Sequence, residues 1–209
     1  MTGDGSNYKC YVNGISVSLD TKTYKSPVSQ STNMRIGKYT GSNKAYSGLI
    51  DEVQIWNKAL SQSEIRQNMC QKLTGSESNL LLYYRFDHVS GSTIKDLSGN
   101  GYDGSLTNME SGDWDVSGAS LGDISASDYV GSTYQVSLAH SDGDTLVVSK
   151  YSGTFTGLQV YLVNEPPDPT KTLSSYETDT RYWGVYAIGE EKGTSMLLCF
   201  SLNDSTSCR

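Results

Sequence analysis

Strand-length runs alternate apolar and polar residues, and turn residues interrupt them about every ten positions. A chain patterned this way buries its apolar side chains by pairing strands into sheets. Tyr8 to Ser18 alternates around Asn13-Gly14, a dipeptide that tolerates positive φ at both positions and so predicts a hairpin. Further strands are predicted at Asn33–Gly37, Gly48–Trp56, Leu80–Phe86, Tyr134–Leu138, Thr145–Tyr151, Leu158–Val163, Tyr182–Ile188 and Ser195–Leu202. Pro166, Pro167 and Pro169 interrupt the pattern as a loop. The period changes once. Ser61 and Glu64 have capping-box spacing, Leu60 and Ile65 form a hydrophobic staple, and one short helix is expected over about 61–72. The segment 110–123, rich in Gly, Ser and Asp, reads as a boundary, which gives domains 1–112 and 113–209.

Composition supports an all-β chain. Hydrophobic residues make up only 36%, and part of the missing apolar mass is supplied by 15 Tyr, a residue suited to half-exposed strands. The net charge of −7 opposes binding to phosphate backbones, so nucleic acid is not an expected partner. No apolar run reaches the roughly 18 residues of a membrane span, so membrane insertion is not expected. The polar start Met1-Thr2-Gly3-Asp4-Gly5 does not read as a signal peptide, and a secreted chain would carry its signal upstream or have lost it. Cys10, Cys70, Cys199 and Cys208 form no Cys-x-x-Cys pair. As disulfide candidates, Cys10–Cys70 would staple the first half and Cys199–Cys208 would close a terminal loop, while buried free thiols are the other reading.

The order and spacing of three segments resemble the closing part of a laminin-G-like, concanavalin-A-type jelly roll. They are Tyr11-Val12-Asn13-Gly14, then Met34-Arg35-Ile36-Gly37, then Gly48-Leu49-Ile50-Asp51-Glu52-Val53-Gln54-Ile55-Trp56 running on through Asn57-Lys58-Ala59-Leu60-Ser61 to Glu64-Ile65. A second fragment is similar to the opening of the same family: Leu82-Tyr83-Tyr84-Arg85-Phe86-Asp87, Gly91-Ser92 and Asp96-Leu97-Ser98-Gly99-Asn100-Gly101-Tyr102-Asp103-Gly104. The middle strands of neither are present, and half a jelly roll leaves strand edges and an apolar face uncovered. Four explanations stand. The chain is a fragment, the opening-like strand folds back on the closing-like one, another chain supplies the missing strands, or the segment is a minimal sandwich of its own. The Gly48–Trp56 strand needs a partner, and Leu80–Phe86 or another molecule is expected to provide it. From about Trp114, stretches such as Gly157–Asn164 and Tyr182–Tyr186 resemble β-sandwich modules that follow laminin-G-like domains in large secreted bacterial surface proteins. The expected architecture is therefore an antiparallel jelly-roll-like sandwich, a second smaller β-sandwich and one helix.

Residues that could carry chemistry are few. His88 and His140 lack a second ligand at metal spacing, and no nucleophile elbow, phosphate loop or dinucleotide fingerprint is present. Asp51 and Glu52, adjacent on a predicted strand, would face opposite ways and could not form a glycosidase pair by themselves. An enzyme is not expected. Asp96, Ser98 and Asn100 before Gly101 place oxygens at alternate positions, as in the first half of a calcium loop, but Thr107 stands where the bidentate acid would be. Two readings stand for this turn: a structural calcium, with Asp87, Asp103 or Asp51 contributing, or an Asx-turn chain that caps its own amides without metal. The resemblance implies calcium near the end of such a sandwich. Tyr83, Tyr84, Trp114, Tyr182 and Trp183 could stack on sugars, although alternation sends one of each adjacent pair into the core. Asn203-Asp204-Ser205 is a glycosylation sequon. The expected function is a structural or adhesive extracellular module, engaging other surface modules or further copies by strand exchange into an oligomer or filament. The alternative is a carbohydrate-binding module that meets glycans, with or without calcium.

Overall fold

The computed structural model describes residues 1–5, 7–18, 33–38, 45–87, 89–115, 117–129, 135–152, 155–166, 180–189, 195–202 and 205–208; His88, Asn203, Asp204 and the Pro167 and Pro169 segment lie outside the described residues. The chain is all-β, with antiparallel ladders and, among the described residues, one short α-helix. It forms two compact units. The first comprises Met1–Val12, Ser16–Ser61 and Thr74–Ser117, the second Asn13–Ile15, Gln62–Leu73 and Gly118–Arg209.

The strands β1 (Thr2–Gly3), β2 (Tyr8–Val12) and β3 (Ile15–Val17) form a three-stranded sheet in that order. The β2–β3 turn uses positive φ at Asn13 (50°) and Gly14 (73°), as the dipeptide predicts. Two strand expectations need correction. Asn33–Gly37 is not a strand: Gly37 has φ +83°, and the chain folds back so that Tyr46 N–H donates to Gly37 C=O (2.7 Å). The Gly48–Trp56 run becomes extended only at β4 (Val53–Trp56), because Glu52 takes a left-handed φ of +52°.

Within the first unit, β4 pairs antiparallel with β5 (Leu80–Tyr84) in the register Val53↔Tyr84, Gln54↔Tyr83 and Ile55↔Leu82. The closing-like strand thus takes the opening-like strand of the same chain as its partner. The turn-rich stretch that follows contains a small meander of β6 (Val89–Ser90), β7 (Thr93–Ile94) and β8 (Gly104–Ser105). Leu82 and Tyr84 on one face of β5 pack with Ile94, Val53, Ile55, Phe86 and Leu106 into a core. Tyr83, on the opposite face, is also fully buried, so alternation does not leave either neighbouring tyrosine free for a ligand.

The second unit is a seven-stranded sandwich built from β9 (Ile124–Asp128), β10 (Gln135–Ala139), β11 (Thr145–Ser152), β12 (Gly157–Val163), β13 (Tyr182–Ile188), β14 (Ser195–Leu202) and β15 (Ser205–Cys208). One sheet has the order β10-β11-β14-β15 and the other β13-β12-β9. Val136, Leu138, Leu146 and Val148 from the first meet Leu158, Val160 and Leu162 from the second, with Phe155 just before β12 in the same core. The central strand β12 is buried on both faces, which explains its nearly continuous apolar sequence. Where Tyr161 faces Gly184 across the ladder, its ring lies where a glycine Cβ would project. Cys199 and Cys208 are cross-strand partners in the β14–β15 ladder.

The helix α1 (Gln62–Asn68) starts directly after Ser61, as capping predicts, but stops before the expected Lys72. Residues beyond it leave to join β-structure: Gln71 forms a parallel bridge with Gly122, Gly122 N–H donates to Cys70 C=O (3.0 Å) and Lys72 N–H to Gly122 C=O (2.8 Å). Residues 62–73 therefore group with the second unit, although the sequence places them between the two strands of the first. The helix has no fully buried side chain and is tied down by polar contacts. Gln159, buried on β12, donates through Nε2 to the Arg66 carbonyl (2.9 Å) and Tyr129 hydroxyl (3.0 Å), and the Arg66 guanidinium lies 4.0 Å over the Tyr129 ring. Cys70 is a buried free thiol pushed up to about 12 by desolvation, and Cys10 is also free. The Cys10–Cys70 staple is not formed: both thiols are free.

Candidate functional site

The six residues singled out as calcium ligands do not converge on one point. Asp96, Ser98, Asn100 and Asp103 share the turn between β7 and β8. Asp51 and Asp87 lie instead around Glu52 and Arg85.

In the turn, Asp96 is buried, at 4% exposure, and its carboxylate has four donors. Tyr83 N–H and Ser98 N–H reach Oδ1, both at 3.0 Å. Ser98 Oγ (2.9 Å) and Tyr102 N–H (3.0 Å) reach Oδ2. Burial opposes the charged form, but these amide and hydroxyl donors outweigh it and hold the pKa below the usual carboxylate value. Asp103 takes the Lys95 ammonium at 2.8 Å and the Asp96 N–H at 2.9 Å. Both interactions lower its pKa, the lysine most. Calcium needs six to eight oxygen ligands, with acceptor lone pairs free to meet it. Here the carboxylate oxygens are spent on N–H and O–H groups, and a fixed cation sits at Asp103, so the turn as arranged does not suit that ion.

The second cluster centres on Glu52. Its carboxylate accepts from the buried Tyr83 hydroxyl and lies 3.6 Å from Arg85 Nε, while Arg85 Nη2 pairs with Asp87 at 2.7 Å. Asp51 accepts from Glu52 N–H (2.9 Å) and from the Ser117 hydroxyl. Burial pushes the Glu52 carboxyl above its usual range, against the lowering effects of Tyr83 and Arg85. The expectation that Asp51 and Glu52 face opposite ways assumed an extended strand, and the left-handed φ at Glu52 removes that assumption. Sequence reading missed this grouping because it joins residues about 30 positions apart around a backbone kink.

A third group lies in the second unit. Asp142 and Asp144 flank Gly143 in the β10–β11 turn and share the guanidinium of Arg181, at the start of β13. His140 Nδ1 lies 2.7 Å from Asp142 Oδ1 and 3.1 Å from Arg181 Nη1, so it donates to the first when protonated or accepts from the second when not. The His140 contact, then the Asp144 N–H and Arg181, bring the Asp142 carboxyl down to about 2. Asp142 and Asp144 are neighbours in the sequence, but their arginine lies 37 positions beyond Asp144. Among the described residues no group of three or more His, Cys, Asp or Glu side chains is arranged to hold a metal ion.

A family model described as the concanavalin A-like lectin/glucanases superfamily, of laminin-G type, matches residues 1–66. The match spans β1 to β4 and the start of α1, includes Asp51 and Glu52, and ends before β5 and the Asp96 turn. No curated protein and no solved structure matches the chain.

Proposed function

We propose that this chain, whose residues 1–66 match the laminin-G-type concanavalin A-like superfamily, is a non-catalytic structural or adhesive module of extracellular type. The observation that carries this reading is the use made of its carboxylates. Asp96 and Asp103 hold backbone and lysine, Asp51 holds a backbone amide and a serine hydroxyl, and Asp142 and Asp144 hold an arginine. Each is committed to stabilising a turn, whereas general acid–base work needs a group with protonation to spare. Glu52 departs from this pattern, since burial raises its pKa. Together with the lectin description of the matched family, that cluster favours carbohydrate binding as the second reading.

A glycan array probed with the whole chain separates the two. The structural reading expects no reproducible binding; a sugar bound by the chain and lost in Glu52→Gln would replace it with the lectin reading. No helix among the described residues is long and apolar enough to cross a membrane. The extracellular setting has its own test. Cys199 and Cys208, opposed in the β14–β15 ladder, are expected to form a disulfide in an oxidising compartment. Intact mass under non-reducing conditions should be lower by about 2 Da than after reduction, since a disulfide replaces two thiol hydrogens. Two alkylatable thiols at these positions in secreted material would count against the assignment.

A further inference from the structure

We infer that the Asp96–Asn100 turn is an edge lock, a side-chain substitute for a third strand that closes β5 against a second copy of this chain. The strand it guards reads Leu-Leu-Leu-Tyr-Tyr, with no charge and no proline, and Leu81 is 38% exposed. Such a strand at an open edge is a template for intermolecular pairing. One edge of β5 is taken by β4. On the other, Tyr83 N–H donates to Asp96 Oδ1 (3.0 Å) where a neighbouring strand would offer a carbonyl. Leu97 N–H donates to Tyr83 C=O (2.9 Å). Ser98 Oγ reaches Leu81 C=O (3.0 Å), and Asn100 Nδ2 reaches both Leu80 C=O and Leu81 C=O (3.1 Å each). The turn thus spends one backbone amide and three side chains on the positions where a strand from another molecule would hydrogen-bond. The calcium-like spacing of Asp96, Ser98 and Asn100 follows from this geometry, since alternate residues of the turn face the edge. The inference goes beyond the proposed module function and does not depend on it.

The test compares self-association of the whole chain with that of Ser98→Ala/Asn100→Ala and of the triple variant that adds Asp96→Ala, by light scattering over a concentration series. Each edge hydrogen bond freed, at about 1 kcal/mol, should lower the concentration needed for association about fivefold, so the double variant, which frees three, should lower it about a hundredfold and the triple variant further. In parallel, a labelled peptide copying Asn79–Asp87 should bind the variants and not the parent chain. If the triple variant does not fold, the double variant, which keeps the three backbone N–H donors of Asp96, decides. A folded variant with the parental association curve and no peptide binding overturns the lock, as does a parent chain that captures the peptide equally well.

Discussion

Gly75→Ala is expected to cost the first unit about 4 kcal/mol, combining about 1–3 kcal/mol for a left-handed residue with about 1–3 kcal/mol for overpacking. Gly75 has φ +91°, and a Cβ built there would sit 2.0 Å from the Leu97 carbonyl oxygen and 3.0 Å from its carbon. The obstacle is backbone, and it belongs to the residue whose N–H bonds Tyr83 C=O, so relief by movement breaks the contact between the turn and β5. Thr74 and Gly75 are held from their own side too, with Glu77 accepting from both amides at 2.7 and 2.9 Å. Gly99→Ala is the control: its φ is +78°, but nothing lies within 4 Å of the added atom, so only the conformational term of about 1–3 kcal/mol should appear. Residue-resolved hydrogen exchange reads the difference. Leu82 and Tyr84 amides should lose protection in Gly75→Ala while Leu158 and Val160 keep theirs; equal effects of the two alanines would refute the clash.

Asp96→Ala should destabilise the same unit by about 3 kcal/mol, because Tyr83, Ser98 and Tyr102 amides lose a charged acceptor and Tyr83 N–H is left buried. The folded pKa of Asp96 is depressed, so its contribution is fully present above the unfolded value near about 4 and lost as pH falls through the lower folded value. Asp103 and Glu77 are depressed as well and act in the same direction. Glu52 acts oppositely: its folded pKa is raised, so its ionisation penalises the fold above that value and acid relieves it. The parent should therefore lose stability below about pH 4, and Asp96→Ala should have a shallower acid limb. Excess chelator at neutral pH should leave the melting midpoint of the parent unchanged. A fall on chelation that calcium reverses would restore the ion to this turn.

Strand identity in the second unit was largely legible from sequence, because alternation and turn chemistry are local. Leu158–Val163 and Tyr182–Ile188 came out nearly as written, whereas β9 and β15, short and built of Ile-Ser-Ala-Ser-Asp and Ser-Thr-Ser-Cys, carry too little apolar signal to stand out. The Asn13-Gly14 turn and the helix start after Ser61 were legible for the same local reason. The helix end was not, since residues 70–72 stop being helical in order to bond Gly122, far away in sequence.

The candidate sites divide in the same way. Sequence alone marked residues 96–101 as a turn, self-capping or calcium-binding, and the segments from Tyr11 to Ile65 as laminin-G-like, because both depend on spacing along the chain. Only the tertiary structure decided that Val53–Trp56 pairs with Leu80–Tyr84, and that the turn's oxygens and amides face the outer edge of that pair. The physical reason is that a carboxylate spaced for a cation is spaced equally well for backbone amides. Which of the two it meets is set by what the fold brings against it: here the outer edge of β5.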